Sequence, residues 1–133
     1  MGYESRVDIV LVHRHNFVQD NGRRYAQLLA TIDISRGGEF YKVFEKKYAD
    51  ADFEYYPFHD GDHCVPSDAT DMYGDKITYA YFEKVLDFLE EERQKSIENG
   101  ETPYRRFEML QNLLSTFRTD SWKEEIYVVH WGY

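Results

Sequence analysis

The segment from Pro57 to Asp75, PFHDGDHCVPSDATDMYGD, concentrates side chains that could do chemistry. Two His, the only Cys of the chain and five Asp occur in these residues, with no Lys or Arg. Imidazole, thiolate and carboxylate groups are the usual ligands of zinc, and carboxylates also bind calcium. The same composition is typical of an acidic surface that attracts a basic partner, and of a solvated loop.

A metal site could also use histidines outside this segment. His13 and His15 are two residues apart on a predicted strand, so their side chains point to one face. If the first and last strands pair, His130 approaches His13. The candidate ligands are His13, His15, His59, Asp62, His63 and His130. They define an alternative function, a metal-dependent hydrolase or nuclease, although the chain has neither paired Cys spacing nor a His-Glu-x-x-His helix.

Calcium binding and nucleophilic catalysis have no support in the spacing. Asp60, Asp62 and Asp68 do not follow the EF-hand pattern, and no Glu closes the loop. Cys64 follows His63, but neighbours in a chain seldom face each other as catalytic partners do. The chain also lacks a nucleophile elbow, a P-loop and a dinucleotide fingerprint. We therefore predict no cofactor and favour a non-enzymatic function.

A longer acidic segment, residues 48–75, contains carboxylates but no Lys or Arg. Its carboxylates are Asp50, Asp52, Glu54, Asp60, Asp62, Asp68, Asp71 and Asp75. Its interleaved aromatic residues are Tyr48, Phe53, Tyr55, Tyr56, Phe58 and Tyr73. Such a segment focuses a negative field that steers a basic partner. On a nucleic-acid-binding partner, carboxylates would replace the phosphates and rings would replace the bases.

We predict that two tyrosines and five aspartates bind this partner. They are Tyr55, Tyr56, Asp60, Asp62, Asp68, Asp71 and Asp75. The acidic side chains would steer association, and the tyrosines would supply the buried anchors of the interface. The alternative for this stretch is a long solvated loop whose aromatic residues anchor it to the core. A sheet-edge homodimer without a ligand is a third hypothesis.

The whole chain fits one cytoplasmic domain spanning residues 1–133. Hydrophobic residues make up 42% of it, enough for a packed core. The net charge of −9 predicts repulsion from nucleic acid and from anionic membranes, so we expect direct binding to neither. A single cysteine excludes an internal disulfide and fits a reducing compartment. No apolar run approaches the roughly 20 residues that span a bilayer.

Hydrophobic periodicity predicts the elements that position these residues. We expect strands at Val7–His15, Tyr25–Ser35, Phe53–Phe58 and Glu125–Trp131, and a short helix over residues 39–48. Apolar stripes predict two longer helices, one over Thr78–Glu98 and one that starts at Thr102 and Pro103. The predicted fold class is α+β, with a mainly antiparallel sheet of about four strands covered on one face by two amphipathic helices.

Two short segments, MGYESRVDIVL and DMYGDKITYAYFEKVLDFLEE, resemble small uncharacterised proteins of bacteriophages and prophages. Such proteins often begin Met-Gly-Tyr-x-Ser before a strand and carry a Tyr-Gly-Asp turn that leads into an acidic helix. The resemblance implies a phage accessory protein in the host cytoplasm, and no functional residue is carried over from it. Proteins of this kind commonly block a host protein, including nucleic-acid-binding defence enzymes. The predicted function is therefore an acidic inhibitor that engages a basic host protein and evades host defence.

Overall fold

Six strands and two α-helices make up the regular structure of the described part of the chain. A computed structural model describes residues 4–13, 18–19, 21–36, 38–56 and 64–132. The strands are β1 (Glu4–Val12), β2 (Arg24–Arg36), β3 (Lys46–Lys47), β4 (Phe53–Tyr56), β5 (Thr78–Tyr81) and β6 (Ile126–Gly132). The helices are α1 (Phe82–Glu98) and α2 (Arg105–Ser115). No helix within the described residues is long and apolar enough to cross a membrane.

The strands form one mixed sheet in the order β3-β5-β6-β1-β2-β4. The central strand β1 pairs antiparallel with β2 and with β6. At one edge, β4 pairs parallel with the start of β2, where Arg24 lies opposite Phe53. The α+β class and the two helices are confirmed. The pairing is mainly antiparallel, as predicted, with one parallel pair, but the predicted number of about four strands is too low, because the sheet has six.

The missed strands are short and have little periodicity of their own. β5 was predicted to be the first turn of a helix starting at Thr78. Its residues instead pair with β6, with Thr78 opposite His130 and Tyr81 opposite Tyr127. Helix α1 starts only after this strand, at Phe82. The short helix predicted over residues 39–48 is not formed. The structure has a 3-10 turn at Phe40–Val43, then β3, and then a second 3-10 turn that begins at Tyr48.

One face of the sheet is covered by the two helices. Val7 and Ile9 of β1 are buried beneath them. The helices contribute their apolar stripes, in which Leu86, Leu89, Leu110 and Leu114 are all buried. Phe40 of the 3-10 turn before β3 completes this first core, and its ring lies 5.3 Å from that of Phe107. The helices therefore cover one face of the sheet, and loop residues pack against the other face.

The opposite face curls around a second core. Val10 and Val12 of β1 point into it, as the alternation along a strand requires. A 3-10 turn at Tyr48–Asp50 connects the edge strand β3 to the other edge strand β4. As a result, the ring of Phe53 on β4 lies 5.2 Å from that of Tyr79 on β5. The segment from Cys64 to Ile77 then crosses this face and carries the residues of interest.

Candidate functional site

Tyr55 lies in the second core. It was predicted to contact a partner, but its side chain is not accessible to one and packs inside the protein. Its side chain is fully buried. Its hydroxyl donates to the Asp8 carboxylate at 2.6 Å and accepts from the Trp131 indole N–H at 2.9 Å. Burial and the neighbouring Asp8 raise the pKa of Tyr55 well above its usual value. The curl of the sheet turns this side of β4 inward, which the sequence pattern alone did not show.

Tyr56 points to the other side of the same strand and is half-buried. Its ring lies 5.2 Å from that of Tyr25 on the neighbouring strand. Burial raises the pKa of its hydroxyl. Tyr56 therefore belongs to a partly covered sheet edge. Asp60 and Asp62, which were predicted beside it, lie outside the described residues.

Asp71 and Asp75 lie in a tight hairpin, residues 70–76, and Asp68 lies two residues before it. An isolated bridge joins Thr70 to Lys76 across it. The Asp71 carboxylate accepts the backbone N–H of Tyr73 at 2.9 Å and that of Asp75 at 3.1 Å. Gly74 has φ +81°, a conformation that side chains disfavour, so glycine suits the tip. These contacts fix the backbone of the hairpin in one conformation.

The tip of the hairpin presents two large apolar side chains to solvent. Met72 is 82% exposed and Tyr73 is 53% exposed. The carboxylates of Asp68 and Asp75, on either side of the tip, are also exposed. The backbone N–H of Met72 donates to the Gly132 carbonyl at 3.3 Å, which joins the hairpin to the end of β6. Sequence reasoning missed Met72, although its place within the Asp-x-x-Gly-Asp turn was a usable signal.

An open cleft of about 420 Å³ lies beside the hairpin tip. It is lined by Arg6, Asp33, Thr70, Asp71, Met72, Trp131 and Gly132. The Arg6 guanidinium lies over the Trp131 ring, 4.9 Å from its centroid, and forms the basic part of the wall. Asp33 from β2 and Asp71 from the hairpin bring carboxylates from distant parts of the chain. Two carboxylates and one guanidinium therefore line the cleft beside the exposed Met72.

Two other described carboxylates of the acidic segment, Asp52 and Glu54, are held by contacts away from the hairpin. Asp52 forms an ion pair with Arg24 at 2.9 Å. Glu54 is buried and accepts a hydrogen bond from the Cys64 thiol at 3.2 Å. Burial and the Glu54 carboxylate raise the pKa of Cys64, which disfavours a reactive thiolate. The acidic segment therefore does not form one continuous surface over its described residues, and only its hairpin combines exposed charge with exposed apolar area.

The predicted approach of His13 to His130 is wrong, although their strands do pair. Val7 lies opposite His130, so His13 is six residues further along β1, or about 20 Å at about 3.3 Å per residue. The described residues contain no group of three His, Cys, Asp or Glu side chains that could hold a metal. The other candidate ligands, His15, His59, Asp62 and His63, lie outside the described residues.

His130 has the surroundings of a core residue. It is buried, and its Nε2 atom lies 2.7 Å from the Ser5 hydroxyl. Its ring stacks on Phe44 with 4.9 Å between the centroids. Burial lowers the pKa of this imidazole to about 4, although the Asp71 carboxylate acts in the opposite direction. His130 is therefore neutral at physiological pH and contributes to packing.

Comparison of the chain with protein-family models, with curated proteins and with solved structures gives no match.

Proposed function

We propose that this chain is a non-enzymatic binding protein whose acidic hairpin engages a basic surface of another protein. The exposed pair Met72 and Tyr73 carries this proposal. Apolar side chains that are exposed next to each other are typical of contact sites, whereas single ones are common on any surface. Tyr is frequent among the residues that dominate binding energy, and Met adapts to irregular partner surfaces.

The rigidity of the hairpin supports a role in recognition. A flexible loop loses conformational entropy when it binds, and this loss weakens the complex. Here the Asp71 carboxylate already fixes the turn through two backbone N–H groups. The side chain of Lys76 also reaches the Asp68 carbonyl, with 3.3 Å between the nitrogen and oxygen atoms. Most of the ordering cost is therefore met during folding, before a partner arrives.

The charges around the tip favour a basic partner. Asp68 and Asp75 are exposed near the tip, and Asp33 and Asp71 line the adjoining cleft. The overall charge of −9 has the same sign. Such a field accelerates encounter with a basic surface, and salt screens it. A Lys or Arg side chain of the partner would enter the cleft with its charge near the two carboxylates and its stem against Met72.

A basic surface of this kind is typical of proteins that bind nucleic acid. Within the proposal, the chain is a phage accessory protein that covers such a surface on a host protein, for example a defence enzyme, and blocks its access to nucleic acid. The same charge would keep the chain itself away from nucleic acid. The resemblance of its two short segments to phage proteins is the support for this part of the proposal.

Capture from a bacterial lysate tests the proposed function. The immobilised protein should enrich a basic protein at about 50 mM salt and much less of it at about 500 mM salt, because exposed charges are screened. The double variant Met72→Ser with Tyr73→Ser should lose this protein at both salt concentrations. Quantitative mass spectrometry of the eluates measures the difference.

A matched control uses an aromatic residue far from the hairpin in sequence. Tyr41 is 42% exposed and belongs to the 3-10 turn at Phe40–Val43. The Tyr41→Ser variant should capture the same protein as the unmodified chain. Equal capture by the hairpin variant and by the Tyr41 variant would show that the contact lies elsewhere and would contradict the proposal.

A further inference from the structure

The edge of strand β2 is longer than the strand that covers it. β2 has 13 residues, and β1 pairs with it from Ala26 to Arg36. On its other side, β4 pairs only with Arg24–Gln27. Beyond that point no described strand pairs with this edge of β2. Alternate residues of an edge strand present their N–H and C=O groups outward, where another strand can pair with them.

A groove of about 430 Å³ follows this edge. One wall is formed by Thr31, Ile32 and Asp33 of β2, and the other by Arg105, Arg106 and Met109 of α2. Met109 is 56% exposed. A sheet edge facing a helix is the arrangement by which several domains bind an extended peptide as an added strand.

Side chains from the start of α2 cover only the far end of this edge. The Tyr104 hydroxyl donates to the Ile34 carbonyl at 2.6 Å. The Arg106 guanidinium donates to the Asp33 carbonyl at 2.8 Å. These contacts protect the backbone at residues 33 and 34. They also hold the start of α2 beside the edge at residues 31–33, where the groove lies.

The groove is basic, in contrast to the chain as a whole. Arg105 is exposed at the first residue of α2, and Arg106 lies next to it. The N-terminal end of a helix carries a partial positive charge, which adds to that of the arginines. Asp33 holds Arg106 through its carbonyl at 2.8 Å and its carboxylate at 3.6 Å, so the exposed Arg105 is the guanidinium better placed to meet a ligand. A ligand for this groove should therefore carry negative charge.

We propose that this groove binds an extended acidic peptide segment of another protein as an added strand. The peptide backbone pairs with the open edge of β2 between Leu28 and Ile32. Acidic side chains that point toward α2 place a carboxylate on Arg105 and their aliphatic part on Met109. This site shares Asp33 with the cleft beside the hairpin, but it takes a ligand of the opposite charge.

Synthetic peptides and the isotopically labelled protein test this site. The probe is a peptide of about seven alternating Val and Glu residues, which can present all its carboxylates on one face. It should shift the backbone amide signals of Ala30, Thr31 and Ile32 in a titration. A matched peptide with Lys in place of Glu should bind at least about tenfold more weakly. N-methylation of alternate peptide bonds, which removes donors, should abolish the shifts.

The variant Arg105→Glu provides a reciprocal control. This side chain is exposed, so the fold should persist and the peptide preference should change from Glu to Lys. Three results would overturn the proposal: no amide shift at about 1 mM peptide, equal binding of the Glu, Lys and N-methylated peptides, or edge signals that change with protein concentration alone. The last result would assign the edge to a second copy of this chain.

Discussion

At the scale of single residues, Asp71 illustrates how a charge can serve structure and recognition together. The sequence predicted it as one of several steering charges in a loop. In the structure its carboxylate accepts two backbone N–H groups of its own turn. It thereby determines where Met72 and Tyr73 project. The orientation of these two side chains, and with it the proposed contact, depends on this carboxylate.

Substitutions of Asp71 should separate its charge from its hydrogen bonds. Asp71→Asn keeps an oxygen that can accept both N–H groups, so the hairpin should persist. Asp71→Ala removes the acceptor and should destabilise the turn locally by about 1–2 kcal/mol. Amide hydrogen exchange of Tyr73 and Asp75 measures this, and both should exchange faster in the Ala variant alone. Equal exchange in both variants would show that the carboxylate does not hold the turn, and Asp68→Ala serves as the control.

The burial of His130 predicts a specific loss of stability in acid. Its pKa is about 4 in the folded protein, against 6.5 for the exposed group. Above pH 6.5 both states are neutral and the residue adds no pH dependence. As the pH falls from 6.5 to 4, the unfolded chain takes up a proton that the folded chain does not. The free energy of unfolding should therefore decrease by about 3 kcal/mol over this range.

Urea denaturation at a series of pH values measures this contribution. The His130→Gln variant should show a shallower decrease in stability between pH 6.5 and 4 than the unmodified protein, whatever its absolute stability. The His13→Gln variant keeps His130 and should keep the steeper decrease. If all three proteins lost stability in parallel, the buried imidazole would not be the cause.

Tyr55 and Met72 show which site residues the sequence could identify. Both lie in or near the acidic segment, but a pattern of residue types does not distinguish an inward aromatic from an outward one. Tyr55 is buried because β4 lies on the curled edge of the sheet and Asp8 and Trp131 meet its hydroxyl. Met72 is exposed because the turn closes at Gly74. Both outcomes depend on contacts between segments distant in the sequence.

At the scale of elements, the long helices were the most predictable part of the fold. Their apolar residues recur at helical spacing over several turns, and the buried residues of α1 are those of the predicted stripe. Strands β3 and β5, of two and four residues, have no comparable signal. The first residues of β5 also lead directly into α1, so the predicted helix extended over them. Pairing with β6 overrides this local preference.

The helix stripes should contribute strongly to stability. Leu86 of α1 and Leu110 of α2 are completely buried in the first core. Replacing either by Ala should lower the free energy of unfolding by about 2–5 kcal/mol, through lost burial and the cavity left behind. Ile97, on the same helix as Leu86, is 46% exposed, and Ile97→Ala should change stability much less. Chemical denaturation compares them, and equal effects of Leu86→Ala and Ile97→Ala would contradict the described packing.

At the scale of the whole molecule, the order of the strands in the sheet could not be predicted from the sequence. The parallel pairing of β4 with β2 depends on the chain passing from one edge of the sheet to the other through Tyr48–Asp50. Within the acidic segment, Asp52 pairs with Arg24 at the start of β4, whereas Asp71 and Asp75 lie in the hairpin and Asp68 just before it. The net charge was readable from composition, but its distribution over the surface was not.

The resulting molecule has two candidate surfaces of opposite character. The hairpin combines apolar tips with carboxylates, and the groove beside β2 combines an open edge with arginines. The central claim of this account is that the hairpin tip is the part of the molecule that touches a basic partner. A photo-crosslinking amino acid such as p-benzoylphenylalanine, incorporated in place of Tyr73, tests this claim in living bacteria.

Irradiation of cells that produce this protein should yield one main covalent adduct, with a basic host protein identified by mass spectrometry. The same amino acid in place of Tyr41, which is also exposed, should yield little of that adduct. Adding Asp68→Asn and Asp75→Asn should reduce the yield from position 73, because steering is weakened. Absence of an adduct from position 73, or equal yields from positions 73 and 41, would contradict the claim.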